Sequence, residues 1–256
     1  MLIHNINPVI VTVFGLEIRY YGLVYALGFL FVLWLTIKLS KREKIKNLDK
    51  NTIYDLFFWM MLTGVIVSRL FHVFLYEPGY YLANPAEIIA FWHGGMSIHG
   101  GLAGGIAAAL IFCRKKKIKF YEIADIVILP FPIVLAFGSL ANFFNAELVG
   151  PVTNVPWCVQ FPGYEGCRHP TVLYQLVENF FLAGVLAYFY NHKKKLRYAP
   201  GTIFWLFLGV YSILRFIVQF WRPEPAVLLG LDVPQLLSIV LIAVSAVMLW
   251  RLNKRK

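Results

Sequence analysis

Residues 18–50 read IRYYGLVYALGFLFVLWLTIKLSKREKIKNLDK, a long apolar run closed by a cluster of lysines and one arginine. A helix needs roughly 20 mainly apolar residues to cross about 30 Å of hydrocarbon. Lysine and arginine collect at the cytoplasmic ends of such helices. The stretch therefore reads as a membrane span whose second end faces the cytoplasm. The first 17 residues lack a basic segment followed by an apolar core, so no cleavable signal peptide is expected and the span stays as an anchor.

The same pattern repeats along the chain. Spans are predicted at 18–40, 52–76, 97–113, 122–144, 171–191, 200–221 and 233–251, the third being short. Nineteen of the 24 Lys and Arg lie in four runs, Lys38 to Lys50, Arg114 to Lys119, Lys193 to Arg197 and Arg251 to Lys256. Seven spans put all four runs on one side, with the N-terminus outside and the C-terminus cytoplasmic. The predicted fold is an all-α integral membrane protein of seven transmembrane helices. It forms one polytopic domain over 1–256, with loops 77–96, 145–170 and 222–232 facing outward and 145–170 as a small head.

Composition agrees. Of 256 residues, 59% are hydrophobic and 14% charged, against about 25% charged in ordinary soluble domains, which excludes a freely soluble enzyme and a disordered chain. The net charge of +11 reports topology and affinity for an anionic inner leaflet. Nucleic acid is not an expected partner, and the lipid bilayer is. Cys113 should lie at a cytoplasmic helix end and stay reduced. Cys158 and Cys167 share an outward loop, either bridged or as two free thiols. No Cys/His spacing suits zinc.

Ionisable groups inside a bilayer are costly and are functional candidates by default. In the glycine-rich run His93-Gly94-Gly95-Met96-Ser97-Ile98-His99-Gly100-Gly101-Leu102-Ala103-Gly104-Gly105, His93 and His99 flank the first glycine pair. The glycines allow close approach of a neighbouring helix or of a ligand. His99 is either functional or satisfied by a backbone carbonyl. Asn142, Asn145 and Glu147 follow at the outer end of a span, where they suit a polar headgroup or cap and pack the loop. Arg215, Gln219 and Arg222 form one helical stripe. Arg215 offers a planar fork for phosphate or a salt bridge to Glu147, Glu178 or Glu224. Tyr20-Tyr21-Gly22 follows Arg19 at an interface that ordinarily attracts aromatics.

These segments resemble the prolipoprotein diacylglyceryl transferases. The resemblance rests on His93 to Leu102, on Asn142-Phe143-Phe144-Asn145-Ala146-Glu147-Leu148-Val149-Gly150, and on Arg168-His169-Pro170-Thr171-Val172-Leu173-Tyr174. Tyr20-Tyr21-Gly22-Leu23 and Tyr211 through Arg222 complete it, in family order, from about Pro8 onward. It implies transfer of a diacylglyceryl group from phosphatidylglycerol to the lipobox cysteine of a prolipoprotein signal peptide, giving a thioether and glycerol phosphate. It implies no metal or cofactor, and a multi-pass protein of the cell (inner or plasma) membrane. Carried over by motif, His99, Tyr21, Asn142 and Arg215 are the catalytic candidates. Glu147, Gly150, Arg222 and Arg69 are the substrate-binding candidates. The chemistry needs a proton acceptor for the thiol, for which His99 suits neutral pH. It also needs cations at the leaving phosphate, for which Arg215 and Arg222 are suited, with Tyr21 and Asn142 orienting the glycerol part.

The chain departs from the family at Gly138-Ser139-Leu140-Ala141-Asn142, where the family pattern is Gly-Arg-x-Gly-Asn. Two usual glutamates read Gln175 and Gln219. A catalytically weakened relative that binds phospholipid or precursor is therefore the alternative. A transporter is a further one, disfavoured by the lack of an internal repeat.

Overall fold

In the computed structural model the apolar runs are helices, described over residues 2–222 and 224–254. The elements are β1 (Leu2–Ile3), β2 (Val9–Val13), β3 (Leu16–Arg19), α1 (Tyr20–Glu43), α2 (Lys50–Phe71), α3 (Pro78–Ala83) and α4 (Ile98–Lys116). There follow α5 (Phe120–Ile128), α6 (Phe131–Phe144), β4 (Val159–Gln160), α7 (Thr171–Asn191), α8 (Lys193–Leu196), α9 (Thr202–Gln219) and α10 (Val233–Lys254). Lys256, expected in the cytoplasm, lies outside the described residues.

Among the described residues five helices are long and apolar enough to span a membrane: α1, α2 with the π-helical turn His72–Tyr76, α7, α9 and α10. The bent pair α5–α6 makes a sixth if counted as one span. The chain is thus a mostly helical, multi-pass membrane protein with five or six candidate spans, where seven were expected. The shortfall is α4. Its apolar stretch is diluted by four glycines and ends in Arg114, Lys115 and Lys116. The predicted continuous helix 122–144 is also corrected, since it bends by 40° between α5 and α6. Pro130 and Pro132 explain the break, because each removes a backbone donor and its ring crowds the preceding turn.

Two small sheets add to the expected all-α fold. Strands β2 and β3 form an antiparallel hairpin, and β1 pairs in parallel with β4. The hairpin joins two alternating apolar segments through Phe14 and Gly15, both at positive φ, which is a strand-turn-strand signal. In the head, His4 donates its backbone N–H to Gln160 O at 2.9 Å. Its Nε2 lies 2.7 Å from Phe143 O, a contact that ties β1 to the end of α6. Val149, Val159 and Phe161 make a buried cluster on which Phe143 and Ala146 pack. Cys158 and Cys167 are bridged, with Cα atoms 5.5 Å apart, so the open alternative resolves to a disulfide. Cys113 is a buried free thiol.

The contacts divide the chain into two compact units, Met1–Leu35 with Ala124–Lys256, and Thr36–Ile123. In the first, α1 meets α6 where a Cβ on Gly28 would come within 2.6 Å of Val134, and α9 meets α10 where one on Gly209 would lie 3.2 Å from the Ser245 Cβ. Small residues let helix backbones approach where water supplies no driving force. In the second unit α2 and α4 meet the same way. A Cβ on Gly100 would lie 2.7 Å from Val67 O and one on Gly104 2.6 Å from Thr63 O. Those glycines therefore serve helix packing.

Candidate active site

Helix α9 carries Arg215 and Gln219, while Arg222 lies in the turn beyond its last residue, so the expected helical stripe stops at Gln219; both ends of the helix are pinned. Asp125, on α5, accepts from Gly201 N (2.7 Å) and Phe204 N (2.9 Å), capping α9 from a neighbouring helix. This satisfies orphan donors that Gly201 has no side chain to meet. At the other end Gln219 donates to Asp232 Oδ2 at 2.7 Å. Asp232 and Gln235 exchange side-chain and backbone bonds (2.8 and 3.2 Å) at the start of α10, a reciprocal cap.

Between these pins Arg215 makes no hydrogen bond or ion pair among the described residues. Arg222 donates through Nη2 to Gln175 Oε1 at 2.9 Å, while its Nε is buried without a partner. Burial, with the Arg215 charge beside it, pulls the Arg222 guanidinium down to about 10, so it stays a cation at neutral pH. Glu178 on α7 is buried, with Oε2 unpartnered. Both arginine charges act on it, yet neither closes an ion pair with it among the described residues. Two cations and one carboxylate thus leave a net positive charge here.

On α1, Tyr21 donates to the Tyr25 hydroxyl at 3.4 Å, with ring centroids 4.7 Å apart. Tyr25 lies in the field of Glu147 and Tyr211, and Tyr211 in that of Arg215, Glu178 and Arg222. Tyr21 is bonded to Tyr25, while the charges of Glu147, Glu178, Arg215 and Arg222 act on Tyr25 or Tyr211 at longer range, with no hydrogen bond to them among the described residues. Of these, Tyr25 was missed in sequence, although it sits one helical turn beyond Tyr21. Gln175 and Glu178 were visible as polar residues three apart in an apolar span.

The turn after α6 is unusual. Ala146 and Leu148, on either side of Glu147, have φ of 54° and 55°, a conformation that costs non-glycine residues about 1–2 kcal/mol each. It is held from outside. Asn145 Nδ2 donates to Glu147 Oε1 at 3.1 Å, Thr171 Oγ1 to Leu148 O at 2.5 Å, and Arg168 to Gly150 O at 3.2 Å. Asn142, half-buried, has no side-chain hydrogen bond among the described residues. Gly150 is buried against the head, and a Cβ there would come within 2.7 Å of His169 O. Its contacts are with protein. Ser139 Oγ turns back to Leu135 O at 3.0 Å.

His99 and Arg69 belong to the second unit. His99 stands exposed in the first turn of α4, where Ser97 Oγ accepts from Gly100 N, and its Nδ1 lies 3.5 Å from the Tyr76 hydroxyl. Arg69 is 2% exposed, and all five of its N–H donors are taken by backbone carbonyls.

A family model described as prolipoprotein diacylglyceryl transferase matches residues 8–251. The phosphatidylglycerol–prolipoprotein diacylglyceryl transferase of Geobacter sulfurreducens is 37% identical over 259 residues, covering 98% of this chain and 97% of that protein. The enzyme of that name from Rhodospirillum rubrum is 38% identical, covering 94% and 90%. The one from Aeromonas salmonicida is 38% identical, covering 98% and 92%. A match spanning every motif above, on a chain of apolar membrane-length helices, makes this an enzyme that belongs to the prolipoprotein diacylglyceryl transferase family.

Proposed function

We propose that the protein moves a diacylglyceryl group from phosphatidylglycerol to the lipobox cysteine of prolipoproteins, within the bilayer of the cell (inner or plasma) membrane. It does so as one polytopic domain of seven spans, with the N-terminus and the 145–170 loop outside and α4 as the short span. The observation that carries this reading is a pair of arginines, Arg215 and Arg222, without carboxylate ion-pair partners among the described residues, in a chain similar end to end to proteins named for that reaction.

In the reaction the cysteine sulfur attacks the glyceryl carbon that bears the phosphate. A C–S bond forms and the C–O bond breaks. The bonding pair leaves with the oxygen as glycerol phosphate, which gains one negative charge. A thiol with pKa about 8.5 needs a base to become nucleophilic, and His99 takes its proton. Arg215 and Arg222 meet the charge growing on the phosphate. Tyr21 and Asn142 orient the glycerol part, and Glu147 accepts from a headgroup hydroxyl. Gly150 serves by letting the head close against His169.

Ser139 favours a second reading, a binder with little turnover, because its hydroxyl is spent on its own helix and offers a phosphate nothing. Incubating the purified protein with phosphatidylglycerol vesicles and a lipobox peptide, then weighing the peptide, separates the two. The expected result is a mass gain of one diacylglyceryl group, absent when the peptide cysteine is serine. Lipid binding without a mass gain establishes the second reading.

A further inference from the structure

Arg69 is among the largest fully buried side chains of the protein. Its Nε donates to Ile88 O (3.0 Å), Nη1 to Gly94 O and to Gly95 O (2.9 Å), and Nη2 to Glu87 O (2.5 Å) and Ala90 O (3.2 Å). A guanidinium has five N–H donors, so none is left for a ligand. The ring of Tyr81 lies 5.0 Å away, and the charge is met by carbonyl dipoles with no carboxylate among the described residues. All five carbonyls belong to the segment 87–95 that leads into α4. Gly95 is pressed against the arginine so closely that a Cβ would fall 2.6 Å from Nη1.

The preceding residue finishes the attachment. Ser68 Oγ donates to Ser97 O at 2.7 Å, and Ser97 N donates to Ser68 O at 3.1 Å. Ser97 caps α4, and His99 follows two residues later. The dipeptide Ser68–Arg69 on α2 therefore sets both the loop and the first turn from which the imidazole projects.

We propose that Arg69 is a positioning residue that acts through His99, with Ser68 as its partner, and makes no contact with the phospholipid. This rests on reading His99 as the proton acceptor. A lysine keeps the charge but gathers its donors on one atom, and it cannot reproduce a fork spread over five carbonyls.

The test uses the full-length protein in the peptide assay, with Arg69→Lys, Ser68→Ala, His99→Gln and the two double variants. Each single change is expected to lower kcat roughly ten-fold or more, with KM for phosphatidylglycerol held within about two-fold. In the His99→Gln background neither Arg69→Lys nor Ser68→Ala should cost more, since a residue acting only through His99 has nothing left to act on. Losses that multiply, or a rise in KM in place of the fall in kcat, overturn the positioning role while leaving His99 in place. Normal turnover by His99→Gln instead removes the base assignment, and the proposal falls with it. A spin label on Ile98→Cys, in a Cys113→Ser background, supplies a readout independent of residual activity. Its spectrum should sharpen in Arg69→Lys and Ser68→Ala, and an unchanged spectrum counts against the proposal. If Arg69→Lys fails to fold, Ser68→Ala carries the comparison.

Discussion

Arg222 donates to the amide oxygen of Gln175 at 2.9 Å, a neutral acceptor that leaves the cation uncompensated. A glutamate at 175 would hold the guanidinium in a charge-assisted pair and compete with a phosphate for it. Gln175→Glu is therefore expected to lower kcat/KM for phosphatidylglycerol about ten-fold, or roughly 1.4 kcal/mol of transition-state stabilisation. A steady-state titration with vesicles checks this, and unchanged kinetics would remove Arg222 from the phosphate.

Among the described residues Arg215 has its fork unoccupied, so the geometry of the group should matter as well as its charge. Arg215→Ala should cost roughly 100- to 1000-fold in turnover, and Arg215→Lys should fall within about ten-fold of it. If the lysine variant retains most of the activity in single-turnover measurements, the arginine contributes charge alone.

Ser139 is 6% exposed and Ala141 fully buried on α6. Ser139→Arg by itself should destabilise, because a long side chain enters a filled position. With Ala141→Gly added to restore backbone room, the new guanidinium should raise transfer from phosphatidylglycerol about ten-fold or more. A double variant slower than the parent would show that this chain binds phosphate well without that residue.

Gln219 and Asp232 share a buried 2.7 Å hydrogen bond in which only the amide can donate. Gln219→Glu sets two carboxylates against each other and should cost about 2–4 kcal/mol of stability. Asp232→Asn in that background restores a donor and should recover most of the loss. Thermal unfolding of the three variants in detergent decides it, and an unshifted midpoint for Gln219→Glu would mean that the contact carries no weight.

His169 sits in the head, where burial holds its imidazole below the usual histidine range. The Tyr174 hydroxyl accepts from Trp157 Nε1 at 2.9 Å and lies 2.9 Å from His169 Nδ1, a contact that a neutral imidazole can accept through that nitrogen. With the folded value lowered, the contribution is present above about pH 6.5 and fades as pH falls through the folded value. The difference in stability between the parent and His169→Gln should therefore narrow on acidification. A constant difference from pH 8 to pH 5 would contradict it.

The helices were legible because lipid imposes a long, uniform apolar signal, and α7 occupies the residues expected of it. The break at Pro130 was present in the sequence too, yet the apolar run on either side masked it. The hairpin around Gly15 was overlooked because its strands are short and sit beside a far stronger span signal. The partners of Arg69 were hidden for a different reason. Its type suggested an anion, whereas its partners are carbonyls, and no side-chain pattern records where backbone oxygens point. Tyr21, Asn142 and Arg215 were singled out as candidates by motif, while the Gln175 and Tyr25 contacts depend on how α1, α7 and α9 pack.

The bond between His4 Nε2 and Phe143 O joins residues 139 positions apart. At about 5–20 residues per second of synthesis, one partner waits roughly 7 to 30 s for the other to leave the ribosome. Strand β1 cannot find β4 until α1 through α6 have been made, and the disulfide across 158 and 167 comes later still. The head is thus a late product of translation, and an enzyme interrupted before Cys167 would carry α1 through α6 without Arg215 or Arg222, its turn at Glu147 still lacking the braces from Arg168 and Thr171.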